Sequence, residues 1–169
     1  CYEDITIMRA LPNFQVLSPA DHVTTSSLFE DCVTTNGLRY FRLDAQVQPV
    51  LYTLDLPSTT DGFHFHQKGE KVCFIATGFM THTAFKVAEE INKIGFKVGI
   101  IDIFNLTNFS KEGLKKVLES YLAIVSFEEG FRGRGGLDSM LFEFIAESKL
   151  NLKTLSIGVD PGYSFELGS

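Results

Sequence analysis

Residues 71–104, KVCFIATGFMTHTAFKVAEEINKIGFKVGIIDIF, decide the fold class. Residues 71–79 form a nearly continuous apolar run, which is typical of a strand that is buried on both faces. Residues 80–94 predict an amphipathic helix that ends at Gly95, and residues 96–104 predict a second strand. This strand–helix–strand order predicts a right-handed crossover between parallel strands. The apolar face of the helix is expected to consist of Ala84, Val87, Ala88, Ile91 and Ile94.

The same alternation continues towards the end of the chain. Ser110 is expected to cap a helix, residues 122–127 predict a third strand, and residues 137–148 predict another helix. Residues 152–159 predict a fourth strand. Strands and helices at this spacing indicate the α/β class, with a three-layer, mainly parallel sheet over residues 68–169.

A second α/β segment precedes this domain. It predicts a helix that ends at Arg9, a strand at residues 14–18, a helix at residues 22–35 and a strand at residues 38–43. Several turn signals follow, so we predict a linker within residues 44–69, with a short strand near residues 50–54. Because the elements begin in mid-series and stop at a turn, we expect both ends to be cut.

The composition excludes several classes of function. The net charge is −6, which argues against a general nucleic-acid-binding protein but not against a local arginine site for a phosphorylated sugar. Cys1, Cys32 and Cys73 form no CxxC pair, so we expect free thiols and neither a zinc site nor a redox dithiol. No apolar run approaches the roughly 20 residues of a membrane span. We therefore expect a cytoplasmic protein with neither a nucleic-acid nor a membrane partner.

Residues 128–137, EEGFRGRGGL, are the strongest candidate for a binding site. They lie between a strand and a helix, at the edge where open parallel sheets bind ligands. Helix N-terminal amides attract anions, and Arg132 and Arg134 would add positive charge. The alternative is a glycine-rich turn that lets the helix pack closely on the sheet. Glu128 and Glu129 are either an acid–base pair or structural residues that cap a helix or meet an arginine of a neighbouring subunit.

Three further polar positions give weaker signals. Arg42 ends a predicted strand and is a candidate for binding an anionic substrate, with a structural salt bridge as the alternative. His64 and His66 alternate, but no nearby acidic residue or cysteine completes a metal site, so we expect solvated linker histidines. His82 opens a helix and is expected at the surface or as a cap.

Three segments resemble motifs of the transketolase family. Residues 3–21 (EDITIMRALPNFQVLSPAD) are similar to a stretch found in transketolases, and this motif is fairly specific. Residues 125–139 (VSFEEGFRGRGGLDS) and residues 158–169 (GVDPGYSFELGS) resemble two later motifs, in the same order and spacing. Deoxyxylulose-phosphate synthases and the beta subunits of 2-oxo-acid dehydrogenases share the later two motifs. The resemblance covers essentially the whole chain.

The resemblance implies a domain layout, and it implies that the catalytic and cofactor-binding residues lie outside this chain. Residues 1–57 would be the C-terminal part of a pyrimidine-binding domain, residues 58–67 a linker, and residues 68–169 the transketolase C-terminal domain. The parent enzyme would use thiamine diphosphate and Mg²⁺, held with its catalytic glutamate on other parts of the protein. We therefore expect no catalytic, cofactor-binding or metal-binding residue here. The transketolase arginine for substrate phosphate corresponds to Ala45, whereas Arg42 matches an arginine of deoxyxylulose-phosphate synthases.

Three functions remain open at this point. In the first, the parent enzyme transfers a two-carbon ketol unit between sugars, and this chain is inactive without its missing domains. Its partner would then be a transketolase N-terminal section or the rest of its own chain, in a homodimer. In the second, the parent is a deoxyxylulose-phosphate synthase or the beta subunit of a 2-oxo-acid dehydrogenase. In the third, the chain acts alone as a non-catalytic assembly module.

Overall fold

A computed structural model describes residues 1–45, 47–52 and 59–162. The helices are Asp4–Arg9 (α1), His22–Thr34 (α2), Met80–Lys93 (α3), Lys111–Leu118 (α4) and Leu137–Ser148 (α5). The strands are Phe14–Leu17 (β1), Leu38–Phe41 (β2), Phe63–Gln67 (β3), Val72–Ala76 (β4), Gly99–Ile103 (β5), Ala123–Phe131 (β6) and Lys153–Val159 (β7). Within these described ranges, no helix is long and apolar enough to cross a membrane.

The strands form two sheets. The larger sheet has five strands in the order β3-β5-β4-β6-β7. Strand β4 runs parallel to β5 and β6, and β7 runs parallel to β6, whereas β3 pairs antiparallel with β5. Strands β1 and β2 form a separate two-stranded parallel sheet. The predicted α/β class with a mainly parallel sheet is therefore confirmed.

Helices cover both faces of the five-stranded sheet. Along β4, Cys73 and Ile75 belong to the core cluster that also contains α4 and α5. Phe74 and Ala76 belong to a second cluster, on the face that α3 covers. This alternation along the strand gives the predicted three layers. The inward residues predicted for α5 are all buried: Leu137, Met140, Leu141, Phe144 and Ile145.

Strand β1 connects the two sheets. On one side it pairs with β2, and on the other side it contacts the residues that follow β5. The amide of Ser18 donates to the carbonyl of Phe104 at 2.9 Å, and the amide of Leu106 donates to the carbonyl of Val16 at 2.8 Å. The outer edge of β2 has no strand partner among the described residues.

The predicted linker needs a correction at residues 63–67, which form β3. Phe63 and Phe65 alternate with two histidines, and both phenylalanines pack in the core. This period of two is the pattern of a strand with two distinct faces. No strand is present at residues 50–52, and the rest of the short strand predicted near residues 50–54 lies outside the described residues. The division into two domains stays a prediction.

Three smaller expectations also change. Strand β6 extends past residue 127 to Phe131, which pairs with Val159 beyond a register shift. Ile94 is 72% exposed because α3 ends at Lys93, so this side chain leaves the apolar face. His82 is buried rather than at the surface, and its Nε2 lies 2.7 Å from the carbonyl oxygen of Ala20.

Candidate functional site

The N-terminus of α5 holds a carboxylate that belongs to the chain itself. Glu128, on β6, accepts hydrogen bonds from the amides of Leu137 and Asp138 at 2.9 and 3.0 Å. The Glu128 side chain is buried, and a Cβ atom at Gly136 would collide with its carboxylate. Glycine is therefore needed for the close approach of the loop. The two amides expected to attract a ligand anion are occupied by Glu128.

Burial sets the protonation behaviour of Glu128. Desolvation raises the pKa of this carboxyl above its ordinary value, although the hydrogen bonds from the amides of Asp138 and Leu137 oppose that shift. A carboxyl with a raised pKa is a common candidate for acid–base chemistry. Here its oxygens point at backbone amides in the interior of the fold. The geometry fits the helix cap, which was the structural alternative for Glu128.

The rest of the glycine-rich segment also forms hydrogen bonds with other residues of the chain. The amide of Gly133 donates to the carboxylate of Asp138 at 2.7 Å, and the amide of Gly135 donates to Ser139 Oγ at 3.0 Å. Arg9, from α1, donates to the carbonyl oxygens of the same loop. The loop therefore has the hydrogen bonds of a close-packed turn that fastens α1 to α5.

The two arginines of this segment differ in their surroundings. Arg132 forms an ion pair with Asp160, which follows β7. Arg134 is exposed, beside a shallow cleft that Glu3 and Phe131 also line. Anion binding by Arg132 and Arg134 stays a prediction, and it no longer has the support of free amides at the α5 N-terminus.

Arg42 lies directly after β2 and meets three carboxylates. Its guanidinium nitrogens are 3.3 Å from Asp4, 3.4 Å from Asp44 and 2.8 Å from Glu129. The Arg42 side chain is 14% exposed. Burial lowers the pKa of Arg42, but the charge of Glu129, followed by that of Asp4, outweighs burial and raises this pKa above its ordinary value. Arg42 therefore stays charged and ties the β1–β2 sheet to α1 and β6.

This arrangement bears on the two roles considered for Arg42. Three carboxylates around one guanidinium give the site a negative local charge, which repels an anionic substrate. The hydroxyl of Tyr40 donates to Asp4 and the amide of Phe79 donates to Asp44, so these carboxylates are themselves held in place. The geometry is that of the structural salt bridge. Binding of substrate by Arg42 stays a prediction.

The two linker histidines are partly buried on a strand, which corrects their expected setting as solvated residues of a linker. They lie on β3 and contact the ring of Tyr52, with centroid distances of 5.3 Å for His64 and 4.9 Å for His66. The hydroxyl of Tyr52 donates to Asp102 on β5 at 2.6 Å. Sequence reasoning missed this buried cluster. A charged residue inside the apolar run of β5, GIIDI, was the signal that could have revealed it.

The described residues do not fit the cofactor that the resemblance implies. Among them, no group of three or more histidine, cysteine, aspartate or glutamate side chains is arranged to hold a metal ion. The helix N-terminus best placed for a diphosphate is filled by Glu128. No reaction step is therefore assigned to a residue of this chain, and whether the chain alone binds the cofactor stays a prediction.

Residues 63–164 match the family described as "Transketolase, C-terminal domain". Over 160 residues the chain is 28% identical to a transketolase C-terminal section of Methanocaldococcus jannaschii, covering 94% of this chain and 49% of that protein. It is also 28% identical, over 165 residues, to the 1-deoxy-D-xylulose-5-phosphate synthase of Cupriavidus metallidurans, covering 92% of this chain and 25% of that protein. The chain thus spans half or less of the length of these relatives.

Solved structures extend the likeness to the fold. A split-gene transketolase, described as an inactive beta4 tetramer, superposes with a TM-score of 0.88 at 28% identity, covering 95% of this chain and 53% of that chain. A transketolase of Campylobacter jejuni gives a TM-score of 0.74 at 18% identity, covering 94% of this chain and 23% of that chain, which shows the fold alone. Together with the family match over residues 63–164, these findings show that the chain belongs to the transketolase C-terminal domain family.

Proposed function

We propose that this chain is the C-terminal section of a transketolase-like enzyme that uses thiamine diphosphate, and that an N-terminal section completes it. The observation that carries this proposal is that the β1–β2 sheet has only two strands among the described residues. A sheet of two parallel strands buries too little surface to be stable by itself, and parallel sheets are normally covered on both faces. The edge of β2 that has no strand partner among the described residues is therefore a site where strands of another section can add.

Exposed apolar side chains mark the same region. Leu38 begins β2 and is 55% exposed, and Val33, near the end of α2, is 87% exposed. Leu43, just after β2, is also exposed. Single exposed apolar residues are ordinary on a protein surface, but a set around an unpaired strand edge is typical of an interface. We infer that the N-terminal section covers these side chains.

The chemistry of the assembled enzyme would be the transfer of a two-carbon ketol unit between sugars. Thiamine diphosphate, when bound, supplies the nucleophilic carbon for such a transfer, and Mg²⁺ holds its diphosphate. The contribution of this chain would be structural. Arg42 and Arg9 fasten the β1–β2 sheet and α1 to β6 and to the loop before α5, and Glu128 holds the start of α5 against β6, which gives the other section a rigid surface.

The direct test is association with the N-terminal section. A Val33→Glu/Leu38→Glu variant places one charge near the end of α2 and one at the start of β2, and we expect the dissociation constant measured by calorimetry to rise at least tenfold. The control is Ile94→Glu, because Ile94 is 72% exposed, between the exposed fractions of Leu38 and Val33, but lies at the end of α3. Circular dichroism should show that all three proteins stay folded. Equal affinity of the two variants would contradict an interface at the β2 edge.

A second candidate function is supported by the relatives. Several are 1-deoxy-D-xylulose-5-phosphate synthases, and one is as similar in sequence as the transketolase section is, at 28% identity. An enzyme of that class would take its two-carbon unit from a 2-oxo acid rather than from a sugar. Assays of the assembled protein with a ketose phosphate and with pyruvate as donors separate the two proposals. Turnover of pyruvate alone would favour the synthase.

Assembly and location are also part of the proposal. The split-gene relative is described as an inactive tetramer of one chain type, which supports self-association without activity here. We propose that two copies of each section form the active enzyme and that it works in the cytoplasm. Sedimentation of the assembled protein tests the first point, and cell fractionation tests the second.

A further inference from the structure

Asp102 is a buried carboxyl without a positive partner among the described residues. It lies on β5 and is 0% exposed. Its oxygens accept hydrogen bonds from the hydroxyl of Tyr52 at 2.6 Å and from the hydroxyl of Thr81 at 3.0 Å. The charge that acts on it is that of a second carboxylate, Asp21. An ionised carboxylate in such a place is costly, because two neutral donors do not replace the solvation of water.

Tyr52 connects this carboxyl to the segment that follows the β1–β2 sheet. The amides of Leu51 and Tyr52 both donate to Asp21, at 2.8 and 3.0 Å. Asp21 is the N-cap of α2 and also accepts from the amide of Thr24. Residues 51 and 52 therefore tie the start of α2 to the five-stranded sheet. We call Asp21, Leu51, Tyr52 and Asp102 the clamp.

His66 is the second titratable group that is buried against the clamp. Its Nε2 atom is inaccessible to solvent and has no hydrogen-bond partner among the described residues. Its ring lies between His64, at 4.5 Å, and Phe85, at 5.1 Å, and also contacts Tyr52. Neither of these two rings carries a negative charge; the Asp21 carboxylate favours an imidazolium at His66, but burial outweighs it and lowers the pKa.

The remaining groups that face the clamp are polar and uncharged, apart from Asp21. Helix α3 contributes the hydroxyl of Thr81, and the His82 ring of that helix faces the carbonyl of Ala20 instead. Helix α2 contributes the hydroxyl of Thr24, which donates to Asp21. Strand β3 contributes His64 and His66. In this part of the chain, no lysine or arginine contact offsets the charge of Asp102.

We propose that opening of the clamp is coupled to two opposite changes in protonation: when the clamp is closed it holds Asp102 protonated and His66 neutral, and when it opens Asp102 releases a proton and His66 takes one up. Opening moves residues 51 and 52 away from Asp21 and lets water reach both buried groups. The two protons then travel in opposite directions, so the effects of pH on opening oppose each other.

The sign of each effect follows from the direction of its pKa shift. Burial raises the pKa of Asp102 to about 7, so opening is favoured as pH rises from the ordinary value of about 4 to 7. Burial lowers the pKa of His66 to about 4, so opening is favoured as pH falls from the ordinary value of about 6.5 to 4. Burial also lowers the pKa of His64, which acts in the same direction as His66. Each single-proton effect is at most about tenfold per pH unit.

Amide hydrogen exchange at Leu51 and Tyr52 reports the opening directly. After correction for intrinsic exchange, we expect the opening constant of the unmodified chain to rise only weakly as pH falls from 6.5 to 4.5, because the proton that Asp102 releases offsets one of those that His66 and His64 take up. In Asp102→Asn it should rise as pH falls, and in His64→Gln/His66→Phe it should rise as pH increases, each by up to about tenfold per unit. The control is Glu89→Gln, which removes one carboxylate from the exposed side of α3 and should match the unmodified chain.

Identical pH profiles in all four proteins would overturn the proposal. A second measurement guards against a variant that does not fold. In the unmodified chain, the carboxyl carbon signal of Asp102 should titrate near pH 7, and His66 should remain neutral at pH 5. Titration of the Asp102 carboxyl below pH 5, or a charged His66 at pH 5, would equally overturn the proposal.

Discussion

Removal of the Glu128 side chain is the sharpest test of how β6 and α5 hold the glycine-rich loop between them. In Glu128→Ala, the buried amides of Leu137 and Asp138 lose their acceptors, at 2.9 and 3.0 Å in the structure. Hydrogen bonds to a charged group contribute about 1.5–3 kcal/mol each, and loss of a helix cap costs about 0.5–2 kcal/mol. The substitution also removes the free-energy cost of burying the Glu128 charge, which offsets part of this loss. We expect a loss of about 2 kcal/mol in the free energy of unfolding.

Urea unfolding of the chain, followed by circular dichroism, measures this loss. In a chain of this size, the same change lowers the melting temperature by roughly 4–8 °C. The matched control is Glu143→Ala, on the exposed side of the same helix, which should change the unfolding free energy by no more than about 0.5 kcal/mol. If Glu128→Ala were as mild as Glu143→Ala, Glu128 would not be the cap that closes the α5 N-terminus.

The pH dependence of stability gives a second readout of the same residue. The folded chain binds the proton of Glu128 more tightly than the unfolded chain does, because burial raises the pKa of this carboxyl. The pH-dependent part of its contribution to stability is therefore present at low pH and is lost as pH rises through the folded-state pKa, whereas the hydrogen bonds to the two amides remain. Glu128→Gln should remove this part of the pH profile. An unchanged profile in that variant would contradict the assignment.

Three further predictions concern other parts of the fold. Arg42→Met leaves three carboxylates without their shared cation, so urea unfolding should show a loss of about 2 kcal/mol in the free energy of unfolding. An unchanged free energy of unfolding would mean that the salt bridge is dispensable. Cys73 should resist a thiol reagent until the chain unfolds, since burial raises the pKa of its thiol, whereas the exposed Cys1 reacts at once. Fast labelling of Cys73 in the native chain would contradict that burial. Gly62→Ala should lower the free energy of unfolding by at least about 1 kcal/mol, because Gly62 has φ +70° and a Cβ atom would meet the carbonyl of Asn108. A variant as stable as the unmodified chain would show that the turn adapts.

The sequence predicts the four parallel strands β4, β5, β6 and β7 well because their signals are local. The apolar run at residues 71–79 and the helical spacing at residues 137–148 each identify an element without reference to the rest of the chain. Strand β3 was missed because its phenylalanines alternate with histidines, which resemble the polar residues of a linker. Only the register with β5 shows that one face of this strand is buried.

The candidate site shows the limits of the same reasoning. Sequence placed Glu128 at the opening of a helix but could not show that its carboxylate reaches over the loop to the amides of Leu137 and Asp138. The partners of Arg42 are 38 and 87 positions away for Asp4 and Glu129, so their contact depends on the packing of separate elements. Tyr52 meets Asp102 across the junction of the two sheets. Such long-range pairs leave no local pattern.

One measurement tests the central claim directly: ketol transfer from a ketose phosphate to an aldose phosphate, with thiamine diphosphate and Mg²⁺ supplied. The chain, the N-terminal section and their mixture are assayed side by side at equal concentrations. We expect turnover only in the mixture, in proportion to the complex that forms, and its loss when thiamine diphosphate is left out. Turnover by this chain alone, dependent on thiamine diphosphate, would place the reactive site on these residues and contradict the proposal.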